Sequence, residues 1–150
     1  MSENPITPGN NIFPDNQHKV KLLIAEDDHI AQMIVNKQLE PYPFYEITFC
    51  DDGDEFMVML ESIEPDLILM DIRLPNISGI ELIRQIRVHE KFKDLPILVL
   101  SASAFKEDID AGIKAGATEY ITKPYNLEKF IDRLLYYTMK VAEPGQNPAH

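Results

Sequence analysis

The chain has 150 residues, a length typical of one domain. It is 45% hydrophobic and 9% aromatic, which allows a packed core and argues against disorder. The formal net charge of -11 disfavours nucleic acid and anionic lipid as partners. The single cysteine, Cys50, excludes an intrachain disulfide. Because no apolar run reaches membrane-spanning length and no secretion signal opens the chain, we expect a cytoplasmic protein.

The two ends of the chain differ in composition from its middle. Residues 1–18 are rich in Pro and Asn, and we expect a flexible arm there. Residues 143–150 form a second polar segment, which we expect to be a tail. The sequence therefore predicts one folded domain over residues 19–142.

Between these ends, short apolar runs alternate with segments of helical period. In chain order the predicted elements are strand Val20–Ala25, helix His29–Glu40, strand Tyr45–Cys50, helix Gly53–Ile63, strand Asp66–Asp71, helix Gly79–Glu90, strand Ile97–Ser101, helix Lys106–Ala115, strand Thr118–Thr122 and a helix from Asn126 to about Val141. Gly116 suits a left-handed cap after the fourth helix. The last helix has the clearest apolar stripe, formed by Leu127, Phe130, Ile131, Leu134 and Leu135.

Five strand–helix pairs predict an α/β fold, a doubly wound parallel sheet with helices on both faces. The first, third and fourth strands are apolar throughout, as strands covered on both faces should be. Ligands of such sheets bind beyond the carboxyl ends of the strands, where the strand order reverses. Functional side chains are therefore expected at the strand ends.

Charged and polar side chains stand at those ends. Glu26 and Asp27 follow the first strand, Asp71 ends the third, Ser101 ends the fourth, and Lys123 follows the fifth. Carboxylate oxygens suit Mg²⁺, and an ammonium and a hydroxyl suit the oxygens of a phosphoryl group. Together these residues predict a magnesium-dependent phosphoryl acceptor whose nucleophile is Asp71.

Each of these residues has an ordinary structural interpretation when it is taken alone. Asp28 is expected to cap the first helix, Asp71 suits a turn before Pro75, and Ser101 suits a buried hydroxyl. Their order, and the position of each at a strand end, favour a shared site.

Four segments resemble, in order and spacing, the response-regulator receiver domain of two-component signalling: LLIAEDD, PDLILMDIRLPNISGIEL, ILVLSAS and GATEYITKP. The resemblance extends from about Val20 to about Val141. It implies a (βα)5 flavodoxin-like sheet with strand order 2-1-3-4-5. It also implies that Asp71 accepts phosphate from a phosphohistidine.

The resemblance assigns the remaining site residues as well. Mg²⁺ would be held by Glu26, Asp27, Asp71 and the backbone carbonyl of Arg73. Ser101 and Lys123 would bind the phosphoryl group, and the Lys123–Pro124 bond would be cis.

Three positions carry further implied roles. Tyr120 matches the aromatic switch position, whose ring turns into space that Ser101 vacates, so that the surface of helix 4, strand 5 and helix 5 changes. Arg73 and Ser103 match positions that tune the lifetime of the phosphate.

We therefore expect a single-domain receiver that is not a turnover enzyme. Its donor would be a histidine kinase or a histidine phosphotransfer protein, and its output a downstream protein partner. Alternatives are a phosphate-independent interaction module on the same fold and a receiver fragment of a hybrid histidine kinase. A hydrolase of the haloacid dehalogenase type is disfavoured, because Arg73 stands where that chemistry needs a second acid.

Overall fold

The computed structural model describes residues 19–142, so the arm expected over residues 1–18 and the tail expected over residues 143–150 lie outside the described residues. The strands are β1 (Val20–Ala25), β2 (Tyr45–Cys50), β3 (Leu67–Met70), β4 (Ile97–Ser101) and β5 (Glu119–Thr122). The helices are α1 (His29–Gln38), α2 (Gly53–Ile63), α3 (Gly79–Val88), α4 (Lys106–Ala115) and α5 (Leu127–Ala142).

Every predicted element is present, and the differences lie at element ends. β3 and β5 are shorter than predicted, and α1 and α3 end before the predicted residue. In α1, Leu39 forms the cap. Pro41 follows two residues later and disfavours the helical conformation at Glu40. In α3, His89 is extended, with ψ 125°, and ends the helix after Val88.

The strands form one parallel sheet in the order β2-β1-β3-β4-β5, which confirms the predicted fold. Ala25 pairs with Cys50 on one side and with Met70 on the other. Ser101 pairs with Thr122. The carboxyl ends of the strands therefore align along one edge of the sheet, and the strand order reverses between β1 and β3.

Two apolar clusters fill the two faces of the sheet. One contains buried residues of α1 and α5, and the other contains buried residues of α2 and α3. All residues of β3 and β4 are buried, as their continuous apolar sequences predicted. The central strands consequently hold the site residues at their ends on a rigid base.

One residue of the predicted α5 stripe is not buried. Phe130, Ile131, Leu134 and Leu135 are buried, whereas Leu127 is 46% exposed. The apolar cluster beneath α5 begins at Phe130, so the first turn of the helix extends past it. Periodicity predicts which face a residue occupies but not where the facing cluster ends.

Local chemistry sets the ends of several helices. Asp28 caps α1, as predicted, by accepting a hydrogen bond from the Ile30 N–H at 2.9 Å. Gly116, with φ 121°, follows α4 in a conformation that favours glycine. At Gly79 a Cβ would lie 2.5 Å from the Asp71 carbonyl oxygen, so only glycine lets α3 begin this close to β3.

Membrane insertion through a helix has no support within residues 19–142. None of the helices there combines the length and the apolarity needed to cross a bilayer.

Candidate functional site

Three carboxylates meet where the strand order reverses. One oxygen from each of Glu26, Asp27 and Asp71 lies within 4.8 Å of the other two. Glu26 is buried, Asp71 is half-buried and Asp27 is exposed, so the cluster opens to solvent on one side. Three oxygen donors at this spacing fit a hard cation such as Mg²⁺.

The environment of Asp71 destabilises the ionised form of its carboxyl group. Burial raises the pKa of the Asp71 carboxyl, and the charges of Glu26 and Asp27 raise it further. The backbone N–H of Arg73, which donates to Asp71 Oδ1 at 2.9 Å, and the Lys123 ammonium act in the opposite direction. A cation bound among the three carboxylates would remove much of this repulsion.

Lys123 is held at the cluster by Glu26. Its Nζ lies 2.6 Å from Glu26 Oε1, and the second Glu26 oxygen accepts a hydrogen bond from the Asp28 N–H at 3.1 Å. The Lys123–Pro124 bond is cis, as the resemblance implied. The ammonium therefore reaches the acidic cluster from the β5 side of the sheet.

Ser101 ends β4 beside β3, the strand that precedes Asp71. Met70 pairs with Val99, so Asp71 and Ser101 extend from neighbouring strands at the same edge. Ser101 is fully buried, and its Oγ accepts a hydrogen bond from the Ser103 N–H at 3.1 Å. The hydroxyl is thus fixed between the sheet and the loop that leads to α4.

Tyr120 links that loop to β5. The ring is half-buried, and the hydroxyl donates to the Ser103 carbonyl oxygen at 2.9 Å. A Cβ added at Gly112 would lie 3.0 Å from the ring, so Tyr120 packs directly against α4. The ring therefore contacts both the segment after Ser101 and the helix that would report a change there.

Asp108, in the first turn of α4, was not predicted as part of the site. Its carboxylate hydrogen-bonds the Ser103 hydroxyl, and Oδ2 forms an ion pair with the Arg73 guanidinium at 3.7 Å. The only sequence signal was an acid in the first turn of a helix, which has an ordinary explanation in the helix dipole. Nothing in the sequence connected it to Arg73.

A second unpredicted contact anchors the loop between β3 and α3. Asn76, whose φ is 70°, donates its amide to both carboxylate oxygens of Asp52 at 2.9 Å. Asp52 also caps α2 by accepting from the Asp54 N–H. The loop that carries Arg73 past Asp71 is therefore tied to the start of α2.

An apolar surface lies beside the cluster on α1. Met33 and Ile34 are exposed, at 69% and 49%. Ile30 is 67% exposed on the same helix. A groove of about 250 Å³ separates α1 from the segment Lys123–Tyr125.

A family model described as "Response regulator receiver domain" matches residues 22–135. The response regulator MprA of Mycobacterium bovis is 34% identical over 115 residues, which cover 77% of this chain and 49% of the relative. The chain thus spans about half the length of the curated relatives it matches.

Solved structures with the same fold include two that bear on the site. The receiver domain of sensor histidine kinase PA1611 from Pseudomonas aeruginosa, with a magnesium ion in its active-site cleft, has a TM-score of 0.72 and 29% identity, covering 79% of this chain and 97% of its own. The phosphorylated cyanobacterial phytochrome response regulator RcpA has a TM-score of 0.72 and 27% identity, covering 84% and 97%.

Proposed function

The chain belongs to the response regulator receiver family, and from that premise we propose that Asp71 accepts a phosphoryl group from a phosphohistidine. The observation that carries this proposal is the meeting of the Glu26, Asp27 and Asp71 carboxylates with the Lys123 ammonium at the carboxyl edge of the sheet. The four residues come from three different strand ends.

Asp71 is the nucleophile of the proposed transfer. One of its carboxylate oxygens attacks phosphorus, the bond from phosphorus to the donor imidazole nitrogen breaks, and the electron pair returns to the ring. The Arg73 N–H, 2.9 Å from Asp71 Oδ1, orients the carboxylate for the attack. Half-burial limits the access of competing water to the acyl phosphate that forms.

The residues around Asp71 receive the phosphoryl oxygens. Lys123 would exchange part of its contact with Glu26 for one oxygen, and the Ser101 hydroxyl would donate to another. Glu26, Asp27, Asp71 and the Arg73 carbonyl are the proposed holders of Mg²⁺. Bound there, the ion supplies positive charge that offsets the carboxylates and the incoming phosphate.

The proposed output is a change at α4, β5 and α5. The Ser101 hydroxyl would be drawn toward a phosphoryl group on Asp71, and Ser103 is hydrogen-bonded to both Ser101 and Tyr120. A shift of the segment after Ser101 therefore reaches the Tyr120 ring and α4 by direct contact. The result is a population shift between two packings of this surface.

The proposed partners are proteins in the cytoplasm. A histidine kinase or a histidine phosphotransfer protein would donate the phosphoryl group, and a downstream protein would recognise the changed surface. The exposed apolar residues Ile30, Met33 and Ile34 next to the cluster support donor docking on α1. The net charge of -11 disfavours nucleic acid. The only reactions that we assign to this chain are its own phosphorylation and slow dephosphorylation. We therefore propose that it is not a turnover enzyme.

Acetyl phosphate with Mg²⁺, followed by intact mass measurement, tests this function. We expect one phosphoryl adduct that is labile to base and is absent in Asp71→Asn, because the amide is not a nucleophile. Asp110→Asn, which removes an equal charge from exposed α4, should still form the adduct. An unmodified wild-type chain under saturating donor would overturn the proposal and favour a phosphate-independent interaction module.

A further inference from the structure

We propose that Asp108 is a positioning residue that holds the Arg73 guanidinium away from the acceptor and competes with the phosphoryl group for it. The inference rests on the proposed function, because it concerns the same acceptor. Its basis is the network of Arg73, Asp108 and Ser103, which none of the assigned roles above requires.

The backbone of Arg73 contacts Asp71, but its side chain is directed toward Asp108. Its backbone N–H contacts Asp71 Oδ1 at 2.9 Å, yet its guanidinium pairs with Asp108 Oδ2 at 3.7 Å. The Arg73 side chain is 64% exposed, so rotation about its stem is not blocked by packing. The long side chain can therefore exchange one anion for another without a change in the backbone.

The Asp108 side chain is held in place by its contact with Ser103. The buried Ser103 donates its hydroxyl to the Asp108 carboxylate, and the Ser103 N–H and carbonyl are engaged by Ser101 and Tyr120. The Asp108 side chain is 35% exposed, about half the exposure of Arg73. Of the two members of the ion pair, the guanidinium is thus the one free to move.

A phosphoryl group on Asp71 adds negative charge near the point where the Arg73 side chain begins. Arginine binds phosphate oxygens well, so the guanidinium then has two competing anions. Any free energy that the Asp108 pair contributes must be lost when Arg73 turns to the phosphoryl group. Asp108 therefore lowers the affinity of the site for that group and, when Arg73 leaves, loses a contact at the start of α4.

Beryllofluoride with Mg²⁺ is a suitable probe, since it occupies the place of a phosphoryl group on a carboxylate without turnover. Removing the competing charge in Asp108→Asn should tighten its binding about two- to fivefold, the range expected for a partly exposed ion pair. The matched control is Asp110→Asn, which removes the same charge from the same helix but from a residue paired with Lys106.

A double-mutant cycle separates positioning from a general structural effect. In an Arg73→Gln background, Asp108→Asn should leave beryllofluoride affinity unchanged, because no cation remains to be released. The inference is overturned if Asp108→Asn matches Asp110→Asn or weakens binding, or if its effect persists without Arg73. A wild-type chain that binds no beryllofluoride contradicts the proposed function instead, so the two failures are distinguishable.

Discussion

At the scale of single residues, Glu26 is the member of the acidic cluster whose burial matters most. It is 6% exposed, and two partners stabilise its charge, the Lys123 ammonium and the Asp28 N–H. A buried carboxylate without such partners would pay a large desolvation cost. Lys123 thus stabilises the buried Glu26 carboxylate even when no phosphoryl group is bound.

Lys123→Ala should therefore have two opposite effects. Loss of the ammonium leaves the three carboxylates with less compensating charge, so Mg²⁺ should bind about fivefold more tightly. The phosphoryl adduct should be lost, because one of its oxygens has no cation. Titration calorimetry with Mg²⁺ measures the first effect and intact mass the second.

Lys129→Ala is the control, because Lys129 is exposed on α5 and its removal changes the net charge equally. It should leave both quantities unchanged. Weaker Mg²⁺ binding in Lys123→Ala than in the wild type would contradict this account of Glu26.

At the scale of elements, α5 offers two leucines in contrasting environments. Leu134 is fully buried against the sheet, whereas Leu127 is 46% exposed one helical turn before the cluster begins. Leu134→Ala should lower the free energy of unfolding by about 2–5 kcal/mol, since it loses burial and leaves a cavity. Leu127→Ala should cost less than about 1 kcal/mol. Urea unfolding measures both, and equal losses would contradict the observed packing of α5.

The contact between β5 and α5 makes the free energy of unfolding depend on pH. Arg133 donates to both carboxylate oxygens of Glu119, and this lowers the pKa of Glu119, with a smaller contribution from the Tyr137 hydroxyl. The folded state thus favours ionised Glu119. Its contribution to stability is complete above the ordinary pKa near 4.5 and is lost as pH falls through the folded value.

Glu119→Gln should accordingly lower the free energy of unfolding by about 1 kcal/mol at pH 7. The difference from the wild type should shrink as pH falls below about 4.5. Urea unfolding between pH 7 and pH 3 measures it, with the exposed residue Glu90 changed to Gln as the control. A difference that stays constant over this range would show that the Glu119 charge is not the cause.

At the scale of the whole molecule, the proposed metal site links ligand binding to stability. Three carboxylates within 4.8 Å are brought together only in the folded chain, so a cation that binds them stabilises the folded state. At a Mg²⁺ concentration 100 times its Kd, the free energy of unfolding should rise by about 2.7 kcal/mol. Urea unfolding with Mg²⁺ and then with excess EDTA measures the gain and its reversal.

Two variants test whether this gain belongs to the cluster. Asp27→Asn should abolish it, because a ligand oxygen loses its charge, whereas Asp132→Asn on the exposed side of α5 should retain it. An equal gain in both variants would mean that Mg²⁺ acts through the overall charge of -11 and not through this site.

The sequence by itself determined the number and order of the elements, the parallel sheet and the residues at its carboxyl edge. These follow from local apolar periodicity and from the rule that parallel strands end at a common edge. Asp71, Ser101 and Lys123 could be identified because each ends or directly follows a predicted strand.

Only the tertiary structure decided which side chains touch across the loops. Lys123 reaches Glu26 over 97 residues, Asn76 reaches Asp52 over 24, and Asp108 pairs with Arg73 from another element. Loop conformation and side-chain direction set these contacts, and neither leaves a periodic trace in the sequence. Burial of strands and helices is a repeated local signal, whereas each loop contact depends on one backbone path.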